Sequence, residues 1–359
     1  MKSLNLGQLF IFGFDGLSVN DDVRGLLKKE VAAGVILFAR NITSLEQVVE
    51  LNRQIMDLRT SEFAPLISVD QEGGRVARLK EICTPVPNMR TIGVLSQNFP
   101  DLPYRLGAMM AREMISLGFH LDFAPVLDVD TNPLNPIIGD RSFATDAHTV
   151  AKLGAAFING MQEAGLAACA KHFPGHGDTD KDSHLDLPIL RHDKNRIETI
   201  ELLPFQASIK AKVSSIMTAH ILIPALDAEF PATLSQLILH NILREKFKFN
   251  GVIFSDDLEM KAVADRYEIK EVIRLGLLAG VDAFLICKDI AKTHEAISAL
   301  HELITEGKVP ISRVEEALIR MAHLKQRFLG APALADLNEA KNIVRSRPHL
   351  ALAQNWATT

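Results

Sequence analysis

The chain has 359 residues, 47% of them hydrophobic, and a formal net charge of −5. That balance supplies ample apolar mass for a core and excludes a disordered chain. With Lys and Arg scattered rather than blocked, it also excludes nucleic acid or an anionic membrane as the main partner.

The N-terminus joins Lys2 to the apolar run LFIFGF, but Asp15 follows at once and there is no small-x-small cleavage site. It does not read as a secretory signal. The longest apolar stretch, VAAGVILFA at 31–39, is far too short to cross a bilayer. Cys83, Cys169 and Cys287 share no CxxC spacing, which argues against a disulfide framework or structural zinc and leaves them as small core residues. The expectation is a soluble protein of a reduced cytoplasm.

LFIFGF (9–14) is the first of eight β-rich runs. It is followed by GVILFA (34–39), PLISVD (65–70), FHLDFAPVLDV (119–129), LAACAKHF (166–173), SSIMTAH (214–220), GVIFSDD (251–257) and DAFLIC (282–287). Continuously apolar runs are what strands buried on both faces look like. Between them lie helical patterns at 44–58, 103–117, 145–164, 235–246, 268–279 and 290–306. In the first, Leu45, Val48, Val49, Ile55 and Leu58 form one apolar face and Ser44 is placed to cap it.

Eight strands alternating with helices predict an α/β fold, a single (β/α)8 TIM-type barrel. No Gly-rich fingerprint opens the first helix, which counts against a dinucleotide-binding doubly wound sheet. Irregular units are expected at 83–100, which is Pro-rich, and at 174–200, which is long and polar. The barrel is assigned to 1–329, and 330–359 to a C-terminal surface helix and tail.

In a barrel the C-terminal strand ends share one rim, where chemistry gathers. Here those ends carry Asp70, Asp128 or Asp130, Lys171 with His172, His220, and Asp256 with Asp257. Asp70 precedes QEGGRVAR, in which Gly73-Gly74 makes a tight turn or a close backbone approach. Arg75 reads as a surface residue in a salt bridge, and Arg141 as an anchor for loop carbonyls. Adjacent acids at 256 and 257 repel, so one is expected to cap the next helix, Asp257, and the other, Asp256, to act chemically.

The densest stretch is KHFPGHGDTDKDSH at 171–184. Pro174, Gly175 and Gly177 forbid helix. His176 reads as a residue that shapes the loop. His184 follows Asp182 by two, and a carboxylate beside an imidazole fixes its tautomer and supports proton transfer near neutral pH. A metal alternative, His172, His176 and His184 with Asp178 or Asp182, lacks any rigid paired-ligand motif. A sugar- or peptide-binding barrel without turnover is a further alternative.

KHFPGHGDTDKDSH, together with VDQEGGRVAR, NPIIGDRSF, PATLS and FSDDLEM, resembles glycoside hydrolase family 3. More narrowly, the likeness is to its single-domain cytoplasmic bacterial β-N-acetylglucosaminidases of peptidoglycan recycling. It runs from about residue 7 to about residue 328. LKEICTPVPN departs mildly from the Gly-containing loop of the family, and the tail beyond Leu329 is not covered.

The resemblance implies a retaining exo-β-N-acetylglucosaminidase with Asp256 as nucleophile and His184, assisted by Asp182, as acid and base. It implies sugar contacts from Asp70, Arg78, Arg141, Lys171 and His172. It further implies no cofactor or metal, a muropeptide amino-sugar substrate, and a monomer. The histidine is a departure from the second carboxyl of most retaining enzymes. Closure of its loop over the sugar is expected to use the freedom of Gly175 and Gly177.

Overall fold

A computed structural model of the chain describes residues 4–179, 186–329 and 334–354. Eight parallel strands close into a barrel: β1 Phe10–Phe12, β2 Gly34–Leu37, β3 Leu66–Val69, β4 Leu121–Asp122, β5 Ala167–Phe173, β6 Ser215–Thr218, β7 Val252–Asp257 and β8 Ala283–Ile286. Closure is made where β1 pairs β8, Phe10 opposite Phe284 and Phe12 opposite Ile286. Every strand falls within one of the eight apolar runs.

Those runs lack alternation because both faces are buried. Phe10, Phe12, Val35, Leu37, Phe284 and Ile286 belong to the layer between strands and helices. Ile11, Ile36, Leu66, Cys169, Phe254 and Leu285 fill the barrel interior, where Phe123 meets Phe254 edge to face at 5.4 Å. The period of two therefore survives, but it separates two apolar environments. All three cysteines are buried and unpaired with one another.

The outer helices follow the amphipathic patterns. Ser44 accepts from the Gln47 N–H and starts the helix Leu45–Met56, which buries Val48, Val49 and Ile55. The pattern at 235–246 forms Leu237–Lys246, wound as a π-helix. β4 is much shorter than its run: Pro125, reached through a cis Ala124–Pro125 bond, has no N–H for the ladder. Contact with β5 continues irregularly, through Cys169 N–H to the Ala124 carbonyl and Leu127 N–H to the Lys171 carbonyl.

Beyond Leu329 the described residues form two short helices, Leu337–Ile343 and Arg347–Gln354. No helix among the described residues is long and apolar enough to cross a membrane.

Candidate functional site

Strand parity aims the site. Leu66 points into the barrel, and Asp70 continues that face of β3. Ala167 and Cys169 do so for Lys171, and Val252 and Phe254 for Asp256. Near the C-terminal ends the same inward positions change from apolar to charged, and a cavity of about 370 Å³ opens there. Asp70, Arg78, Arg141, Lys171, His172, His176, Asp256 and Asp257 all line it. Seven residues expected from the strand ends and motifs thus converge on one hollow, joined by His176. Asp182 and His184 lie outside the described residues.

The deepest part is an ion network. Lys171 is buried, not turned to solvent, and its ammonium donates to Asp70 Oδ1 and meets Glu72 Oε1, each at 2.7 Å. Glu72 also accepts two bonds of 2.8 Å from the Arg141 guanidinium. Burial opposes ionisation of Glu72, but Lys171 and Arg141 outweigh it and hold the carboxyl well below its usual range. Arg141 also donates to the Ile137 carbonyl at 3.3 Å, so it anchors its loop as well as facing the cavity.

Sequence reasoning passed over Glu72. Its signal was position: it sits two residues past Asp70 in a hairpin, Gln71–Gly73 with Val76–Ala77, turned by Gly73 and Gly74 at φ +99° and +55°. Arg75 leaves this hairpin for an exposed pair with Asp140 at 3.0 Å. Arg78 stays, its guanidinium 5.8 Å from the Phe38 ring centroid, and its buried Nε has no hydrogen-bond partner among the described residues.

Of Asp128 and Asp130, the first bonds to residues that line the cavity. Asp128 Oδ2 lies 2.7 Å from His172 Nδ1, and Oδ1 accepts the His176 N–H at 2.7 Å. Burial raises its pKa less than His172 and His176 lower it. The bond to Nδ1 fixes the imidazole and leaves Nε2 on the Arg141 side, at 3.5 Å. Asp130 instead pairs with Arg90 at 2.7 Å.

His176 Nδ1 is 2.7 Å from Thr179 Oγ1. It is kept uncharged by burial, which lowers its pKa to about 4, in keeping with a loop-shaping part. Gly177 has a steric duty: a Cβ there would lie 1.9 Å from the Val129 carbonyl oxygen. Gly175 holds φ +134° against the Glu201 side chain. Close packing thus calls for glycine at both positions; the expected closure over the sugar concerns a loop that runs on into residues outside those described.

Within the acidic pair the two carboxyls are driven apart. Burial opposes ionisation of Asp256, but His172, His220, the Asp257 N–H and Lys171 hold its pKa below the usual value. Asp257 is raised to about 6 by burial, with Glu259 and Asp256 as like charges. It accepts N–H bonds from Glu259 at 3.1 Å and Cys287 at 3.2 Å. It therefore braces the turn between β7 and the following helix, Lys261–Ala264, and ties it to the end of β8. The helix itself is entered from Met260, so Asp257 is a turn brace rather than its N-cap.

His220 bridges the remaining parts, with Nδ1 2.8 Å from Thr233 Oγ1 and Nε2 3.1 Å from the Asp257 carbonyl. Thr233 belongs to PATLS, so that motif acts by holding His220. Among the described residues, the set that brings potential metal ligands together is Asp178, His192 and Glu201, where Arg196 already supplies a cation 2.7 Å from Asp178.

The N-terminal-domain model of glycosyl hydrolase family 3 matches residues 2–324. A curated β-hexosaminidase of Thiobacillus denitrificans is 35% identical over 97% of this chain and 94% of its own. A family 3 β-N-acetylglucosaminidase structure from Paenibacillus sp. superposes with a TM-score of 0.95 at 35% identity, over 99% of this chain and 68% of that one. NagZ from Neisseria gonorrhoeae, solved with N-trifluoroacetyl-D-glucosamine, gives 0.80 at 30% identity over 98% and 97%. A match across nearly the whole barrel, with the charged hollow at its C-terminal rim, decides the matter: the chain belongs to glycosyl hydrolase family 3 and is a glycoside hydrolase.

Proposed function

We propose that the protein is a retaining exo-β-N-acetylglucosaminidase, removing terminal N-acetylglucosamine from anhydromuramyl fragments of the cell wall in the cytoplasm. The observation that carries the reading is an ionised carboxylate, Asp256, facing a hollow whose deepest cations, Lys171 and Arg141, are matched by carboxylates. Lys171 is neutralised by Asp70 and Glu72, and Arg141 by Glu72. Cations matched in this way suit a neutral, hydroxyl-rich ligand better than a phosphate, and such dense polar contacts fix a sugar ring in one orientation.

In this reading Asp70, Arg78, Arg141, Lys171 and His172 hold the terminal sugar. Asp256 attacks the anomeric carbon, and the departing oxygen takes a proton from His184 as the glycosidic bond breaks. His184, steadied by Asp182, then removes a proton from water, which opens the glycosyl ester and releases the sugar with retained configuration. Names of similar proteins support the sugar: β-hexosaminidase for the curated relative, and N-acetylglucosaminidase for the Paenibacillus structure.

Release of aryl alcohol from an aryl β-N-acetylglucosaminide tests the activity. Asp256→Ala should leave essentially no turnover with an unchanged unfolding temperature; substantial residual turnover would remove Asp256 as nucleophile. His184→Ala should lose roughly 10²–10⁴-fold on substrates with poor leaving groups and much less on acidic aryl ones. An equal loss on both would remove His184 as the acid.

A further inference from the structure

The segment 334–354 lies past the family match, which ends at 324, yet it is bonded to the barrel through a buried carboxylate. Glu113, on the helix Leu102–Ser116, is 1% exposed. Its oxygens accept from the Thr84 N–H at 2.7 Å, the Thr84 hydroxyl at 2.6 Å and the Arg345 N–H at 3.0 Å, and lie 2.8 Å from His349 Nδ1. From the other side, the Arg345 guanidinium donates to the carbonyls of Cys83 and Lys80, both at 3.0 Å. The stretch 80–84 is therefore clamped between Glu113 and Arg345.

That stretch leads directly back to the cavity. Leu79 is fully buried and its N–H donates to Gln71 Oε1 at 3.0 Å, and Arg78 comes next. The Arg78 guanidinium rests near the Phe38 ring, with its Nε unpartnered among the described residues, so its placement depends on how firmly its backbone is held. Arg345 itself sits at φ +52°, a left-handed conformation that is strained for a non-glycine residue. The chain accepts this where it delivers the guanidinium to two carbonyls.

We propose that residues 334–354 form a strap that fixes the Arg78-bearing hairpin for substrate, with Arg345 and His349 as positioning residues. This rests on the reading of Arg78 as a sugar contact. The test uses Arg345→Gly, which suits the left-handed turn while deleting the guanidinium, and His349→Ala as a second variant. Binding of N-acetylglucosamine by calorimetry is measured beside KM and kcat on an aryl N-acetylglucosaminide and the unfolding temperature.

For Arg345→Gly, Kd and KM should both rise roughly five-fold with kcat within about two-fold. Because the two side chains act through one contact, Arg78→Ala with Arg345→Gly should bind no more weakly than Arg78→Ala alone. Unchanged Kd and KM, or losses that multiply in the double variant, would overturn the strap. An unaltered protein that binds the sugar without turnover would overturn the proposed activity and leave the Kd comparison to decide the strap; absence of sugar binding would overturn both.

Discussion

At the scale of single residues, function rests on pairs whose surroundings push them in opposite directions. Asp256 and Asp257 are adjacent in sequence, yet one is held ionised by nearby imidazoles and Lys171 while the other is raised to about 6. Separating two acids in this way assigns them different work. Glu72 is the hub of the cationic side, and Glu72→Gln should be costly because it leaves Lys171 and Arg141 buried with one fewer counter-charge. A loss of about 3–5 kcal/mol is expected at pH 7, measured by urea unfolding. The Glu72 pKa is lower folded than unfolded, so its contribution is full above the unfolded value and fades as pH falls through it. The difference between wild type and variant should therefore hold steady above about pH 5.5 and shrink as pH falls below the unfolded 4.5 toward the lower folded value; a difference that stays constant there would contradict the network. Asp70, Lys171, His172 and Asp256 were legible because each ends a strand-like run. Glu72 was not, and Asp128 could not be told from Asp130, since what distinguishes them are partners 69 and 44 residues away.

At the scale of elements, the strand period explains both what was readable and what was not. Val252, Phe254 and Asp256 share one face of β7, so choosing Asp256 over Asp257 amounts to choosing which face looks inward. Because both faces are apolar, strand period does not reveal that choice; mutual repulsion and the need for a cap after the strand suggest it, and the family motif agrees. The extent of β4 was overestimated because an apolar run hides the effect of Pro125 on the ladder. The loop after β5 reads as mobile from its glycines, and in its described part, up to Thr179, those glycines also answer to close packing. Gly177→Ala would drive a Cβ into the Val129 carbonyl and should cost at least about 2 kcal/mol, seen as a lower urea midpoint. A neutral effect would contradict the packing account.

At the scale of the molecule, the barrel divides labour between its two ends. The rim gathers charges around a hollow, while the floor buries a lysine whose hydrogen bonds among the described residues go to neutral groups. Lys325 donates to Gln8 Oε1 at 2.7 Å and the Ala64 carbonyl at 2.9 Å, and burial lowers its pKa to about 7. The folded value lies below the unfolded 10.5, so between these limits the unfolded chain binds more protons and stability should climb with pH. Lys325→Met should lose most of that climb and exceed wild type at pH 7 by roughly 1–3 kcal/mol; an equal slope in both would refute the buried-cation account. The central claim concerns the other end, and it is tested by incubating the protein with a 2- or 5-fluoro N-acetylglucosaminyl donor, then sequencing the labelled peptide by mass spectrometry. The account predicts a single sugar ester on Asp256; a label on another residue, or a product of inverted anomeric configuration, would contradict it.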